Sequence, residues 1–126
     1  MINYSEFWRT IKDIIVNNTS IQKVVDTYPS KIPKRPYVIL YPIDETIDSG
    51  MIDNTIDSSL ILITIEIYAD DSLTVDNQAK DIRDAILTNL SSQYTLKSYQ
   101  TVDSGKVADV SAGVLHYKTI SLVLLE

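Results

Sequence analysis

The chain has 126 residues, of which 44% are hydrophobic and none is cysteine, and its 11 Lys+Arg stand against 17 Asp+Glu for a formal charge of -6. That is ordinary globular composition for a single domain (1–126), long enough to bury a core without covalent or metal staples. Lack of cysteine excludes disulfide scaffolds, thiolate-bound zinc, iron–sulfur clusters and cysteine nucleophiles, and the acidic balance argues against a general phosphate-binding surface.

Residues 4–18 set Tyr4, Phe7, Trp8, Ile11, Ile14 and Ile15 at three- and four-residue steps. This predicts an amphipathic helix, with Asn3 and Glu6 as its N-cap pair. The start "MINYSEFWRTIKD" lacks the basic and apolar segments of a signal peptide. No apolar run approaches the ~18 residues of a membrane span. The expectation is a soluble protein made inside the cell. "SIQKVVDTYP" fits either a short helical turn or a short strand, and "YPSKIPKRP", with three prolines, reads as an ordered extended connector.

Strands are expected at about 37–47 and 56–68, joined through a hairpin arm at 43–59. In "LILITIEIY", Ile61, Ile63, Ile65 and Ile67 line one face, and Leu62, Thr64, Glu66 and Tyr68 the other. A second helix is expected over about 72–90, with Val75, Ala79, Ile82, Ile86 and Leu90 as its stripe. Asp70, Asp71 and Asp76 sit at its positive end. Further strands follow at about 94–102, 107–112 and 114–125, with a turn at "DSGK". The expected fold is α+β: a mostly antiparallel sheet of four to five strands, two helices packed on one face, and an extended β-hairpin arm.

The arm is the segment that asks for an explanation. "IDETIDSGMIDNTIDSS" repeats Ile-Asp four times between Ile43 and Ser59. A calcium loop counted from Asp44 finds Thr46 and Asp48 in place, but Ser49 where glycine is needed and Thr55 where the closing Glu belongs. Counting from Asp48 or Asp53 does no better. The arm reads instead as a contact element. Asp44, Glu45, Asp48, Asp53 and Asp57 form an acidic set that keeps the arm soluble, and Ile47, Met51, Ile52 and Ile56 give it apolar side chains that suggest a partner. A lone two-stranded arm is marginal in water and needs something to pack against.

No catalytic, metal or cofactor site is expected. His116 is the only histidine, with no nucleophile elbow to serve and no cysteine partner for zinc. The three scattered glycines build no phosphate cradle. Lys31, Lys34 and Arg35 make up the only basic cluster, too small for a nucleic-acid groove, and read as a solvated connector or a subunit contact.

Three stretches resemble the tail terminator (tail-completion, tail-to-head joining) proteins of long-tailed bacteriophages. They are the N-terminal helix leading through prolines to "RPYVILYP", the strand–break–helix "LITIEIYADDSLTVDNQAKDIRDAILTNL", and the closing "VLHYKTISLVLLE". The resemblance implies a non-enzymatic structural protein of the virion tail or neck, assembled in the host cytoplasm. As a hexameric ring it would cap the tail tube, stop its polymerisation and offer a docking surface to the head-side connector protein. Its implied partners are copies of itself, the tail tube protein and that connector, with genome DNA passing through unbound and no membrane involved. On this resemblance the acidic set of the arm would face the lumen or a partner, and its apolar set would contact a subunit or the tube. Rival readings are a neighbouring neck or head-completion protein, a component of a phage-derived contractile device, and, from another class, a small ligand-binding or regulatory domain with the arm as its lid.

Overall fold

The computed structural model describes residues 3–49, 56–109 and 113–126. Helix α1 (Tyr4–Asn18) starts at Asn3, whose side-chain oxygen accepts the Glu6 N–H at 3.1 Å. That bond satisfies one of the donors a first helical turn leaves open. The apolar stripe buries Phe7, Ile11, Ile14 and Ile15. At the other end Thr19 turns its hydroxyl and N–H back to the Ile15 carbonyl, at 2.7 and 3.1 Å.

The segment that fitted a turn or a strand is strand β1 (Lys23–Val25), paired in parallel with β2 (Tyr37–Leu40). The proline connector between them is a crossover rather than a tight turn, and only such a connection leaves two neighbours parallel. The expected strand over 37–47 is divided in two: β2 ends at Leu40 and β3 (Asp44–Ser49) begins after Pro42. Proline has no N–H to give the ladder. Beside the break, the Trp8 indole N–H donates to the Leu40 carbonyl at 2.8 Å, tying α1 to the strand end.

Strand β4 (Ile56–Ala69) is the organising element. Along one edge it pairs with β3 through Leu62 and with β2 from Ile65 to Tyr68, so both short strands share a flank. Along the other edge it pairs from Leu60 to Ala69 with β6 (Gly113–Leu125). Strand β5 (Thr95–Asp109) closes the order β1-β2-β4-β6-β5, with β3 beside β4. The result is an open six-stranded α+β sheet, antiparallel except at β1–β2.

Helix α2 (Ser72–Leu90) lies with α1 on one face of this sheet. The core between them holds Ile61, Ile63, Ile65 and Ile67 of β4, Ile120, Leu122 and Leu124 of β6, and Val75, Ala79, Ile82, Ala85, Ile86 and Leu90 of α2. Each buried isoleucine or leucine contributes about 1.5–3 kcal/mol over its exposed state, which fixes this face against a one-residue register slip.

The turn expected at "DSGK" is not a turn. Asp103 to Lys106 continue β5, and the two strands expected at 94–102 and 107–112 are one. Bulges between Leu96 and Ser98 and between Thr101 and Asp103 absorb the irregularity that turn-forming residues bring. Gly105 remains in the ladder because the Tyr117 ring lies over it: a Cβ there would stand 3.3 Å from Tyr117 Cε1.

Candidate assembly surfaces

The β3–β4 arm is anchored before it projects. Ile43, its first isoleucine, belongs to the core rather than to the arm. Glu45 is half-buried at the root, where one carboxylate oxygen accepts the Tyr4 hydroxyl at 3.1 Å and the other accepts Ser59 Oγ. The hydrogen bond to Glu45 and the negative charges around it push the Tyr4 phenol above its usual pKa. Glu45 therefore pins the arm to α1. Asp44 is exposed, and its carboxylate accepts the Glu45 N–H at 2.9 Å.

Ile47 and Asp48 sit in the β3 backbone opposite Ser59 and Ser58, and Ile56 sits opposite Ser49. Asp57 falls at the register shift between those pairs. Met51, Ile52 and Asp53 lie outside the described residues, so the tip half of the proposed acidic and apolar sets carries no geometry here. Next to the root, a cleft of about 520 Å³ runs between Tyr4, Trp8, Arg9, Asp26, Pro42 and Ile43.

The basic connector is divided in its commitments. Arg35 is half-buried and pairs with Asp70, while Lys31 and Lys34 are exposed and have no carboxylate partner among the described residues. Asp71 caps α2, and Asp76 pairs with Lys118 of β6 at 2.9 Å. The three aspartates that read as a helix-dipole set thus each hold a specific partner.

The side of the sheet away from the helices carries a network that sequence reasoning did not single out. Tyr37, Tyr68 and Tyr117 stand in one row across β2, β4 and β6. The Tyr37 and Tyr68 rings stack at 5.0 Å between centroids, and Tyr117 lies 5.9 Å from Tyr68. One row further, Glu66 is half-buried and accepts the Tyr68 hydroxyl on one oxygen and Thr119 Oγ1, at 2.9 Å, on the other. Tyr41 also donates to Glu66. Asp103 lies in the same row on β5 and accepts the Tyr117 hydroxyl at 3.0 Å.

Burial first, then the bond to Glu66, pushes the Tyr68 phenol far above its usual pKa, and burial with the Glu66 charge raises Tyr41. For Tyr117 the bond to Asp103 is the larger cause. Each shift favours the protonated phenol, which keeps the hydrogen it donates to its carboxylate. Alternation along β4 already set Glu66 on the face opposite the isoleucines. What the chain order did not carry was the register that brings Thr119, Tyr117 and Asp103 alongside it.

Half of this face is covered. The connector lays Ile32 against the cluster of Tyr37, Ile39, Tyr68 and Leu115, and Tyr28 meets Tyr68 edge-on at 5.9 Å. The other half, with Leu62, Val123 and Leu125 between the Glu66 row and the arm, is left half-exposed. Among the described residues no His, Asp and Glu group is arranged to hold a metal, and no helix is long and apolar enough to cross a membrane.

No family model matches the chain, and no curated protein is similar to it in sequence. Among solved structures, 22 chains are similar. One, from the virion of a native gene transfer agent particle, aligns over 100% of this chain and 99% of its own, at 12% identity and a TM-score of 0.48. At that distance the functional reading has to rest on this chain's own residues.

Proposed function

We propose that the chain is a structural virion protein, a tail terminator. Copies form a ring on the end of the tail tube, stop its polymerisation and present a docking surface to the head-side connector, while DNA passes through without specific binding. The observation that carries this reading is the pair of hairpins extending from opposite ends of one sheet. Residues 56–58 of β4 run past the end of β6, and at the other end β5 and β6 run on together past Ala69, the last paired residue of β4. A closed ring is built head to tail and needs two different surfaces on each subunit. Two oppositely directed hairpins supply them, and β5 adds a long exposed edge with Leu96, Val102 and Val107 open to solvent. The net charge of -6 suits a lumen that DNA must traverse without sticking.

The test is solution mass by light scattering, for the protein alone and after addition of purified tail tubes. One ring per tube end, formed beforehand or on the tube, is the expected outcome. A chain that stays monomeric and ignores tubes overturns the proposal. In that case the cleft at the arm root, whose volume falls within the ~300–1,000 Å³ of small-molecule sites, favours the ligand-binding reading.

A further inference from the structure

We propose that the bare half of the tyrosine face is a subunit contact, in which Lys31 and Lys34 of a second copy sit against Glu66 and Asp103. The contact rests on the ring reading and gives it a chemical identity. Glu66 is a half-buried carboxylate in the middle of a sheet, and every partner it has among the described residues is a hydroxyl: Tyr41, Tyr68 and Thr119. Hydroxyls satisfy its lone pairs and fix its position, but they leave its charge uncompensated. A carboxylate held this way is pre-organised for a cation, and the tyrosine rings beside it add faces that attract one. Asp103, fixed by Tyr117, repeats the arrangement two strands away.

The cations that fit are on the same chain but not on the same site. Of the connector's three basic residues, Arg35 is used internally by Asp70, and Lys31 and Lys34 are exposed without a carboxylate partner among the described residues. Their spacing can reach that of the acids. Two strand intervals put the Glu66 and Asp103 backbones about 10 Å apart. Three residues of extended chain put Lys31 and Lys34 at most about 10 Å apart. Shape agrees with charge. The connector covers one half of the face through Ile32 and Tyr28, and the other half leaves Leu62, Val123 and Leu125 half-exposed along the strands beyond Glu66. The connector of one copy laid on the bare half of the next buries those side chains and neutralises both carboxylates.

Charge reversal tests it. The double variants Glu66→Arg with Asp103→Arg and Lys31→Glu with Lys34→Glu are each measured by light scattering, alone and with tail tubes, alongside thermal unfolding of each. Both are expected to need at least tenfold more protein to assemble than the wild type. Mixing the two variants, or combining all four changes in one chain, is expected to restore assembly, because the reversed surfaces again complement each other. The lysine variant alters only exposed side chains, so it reports on the contact even if the variant changed at Glu66 and Asp103 has a lower melting temperature. A wild type that assembles, with a lysine variant that assembles equally well, overturns this contact and leaves the ring reading standing. Loss in both variants without rescue on mixing also overturns it. A wild type that never assembles overturns both.

Discussion

Asp71 shows how one side chain can set an element boundary. Its carboxylate accepts the Thr74 N–H at 2.7 Å and the Thr74 hydroxyl at 3.0 Å, which stops β4 from running on and starts α2. Those bonds, the backbone one first, hold the Asp71 carboxyl below its ordinary pKa of 3.8. A carboxylate depressed in the folded state stabilises the fold above its unfolded pKa and loses that contribution as pH falls through the folded value. Asp71→Ala should therefore lower the melting temperature at pH 7 by about 3–6 °C, the usual scale for a lost cap in a chain of this size. The gap from the wild type should narrow as the pH is taken below 3.8. Differential scanning calorimetry at a series of pH values checks both points, and a gap that stays constant into strong acid would show that the charge plays no part. Asp71→Asn, which keeps a capping oxygen, should recover most of the loss at pH 7.

At the scale of elements, β4 makes the clearest case for a fold written in periodicity. Its alternate isoleucines specify a strand with one wholly apolar face, and both helices supply a matching stripe at helical spacing. Ile65, fully buried between Leu40 and Ile120, should lose about 2–5 kcal/mol on truncation to Ala. Thr64→Ala, one residue away on the opposite face, should change stability by less than about 0.5 kcal/mol. Urea unfolding midpoints of the two variants measure the difference, and equal losses would mean that the sheet buries both faces alike. Where period is absent, legibility fails. "DSGK" carries three residues that favour turns, yet it lies in a strand, because pairing with β6 and cover from Tyr117 outweigh local preference. Residues 37–47 read as one run because β-branched and aromatic residues dominate, and a single proline at 42 moved the chain from β2 to β3. The Glu66 network was invisible for a related reason. Tyr41 comes from the break after β2, Tyr68 from β4, and Tyr117 and Thr119 from β6, and only the register joins them.

At the scale of the molecule, the sheet has the helices on one face, a half-covered tyrosine face on the other, and hairpins at both ends. The helix side is complete, with its stripes buried and its caps satisfied. Among the described residues, what remains unmatched is the half-bare face and the exposed β5 edge, the surfaces the proposed ring would use for contacts. The arm's Ile-Asp alternation suits that division, since period two puts acids and isoleucines on opposite sides of a hairpin. Glu45 and Ile43 fix its root to α1 and the core, so changes near the tip should leave the fold intact. Met51→Asp combined with Ile52→Asp should then keep the wild-type melting temperature within about 2 °C. The same variant should cap tail tubes at least tenfold less efficiently, because two charges enter the apolar contact proposed for the arm and would need a partner or water to bury. Counting capped tube ends by electron microscopy gives the number. If capping is untouched while charge reversal at Glu66 and Asp103 abolishes it, the arm is a solubilising fringe and the subunit contact alone makes the ring. If the order of effects is reversed, the arm is what grips the tube, and the tyrosine face only joins copies already seated there.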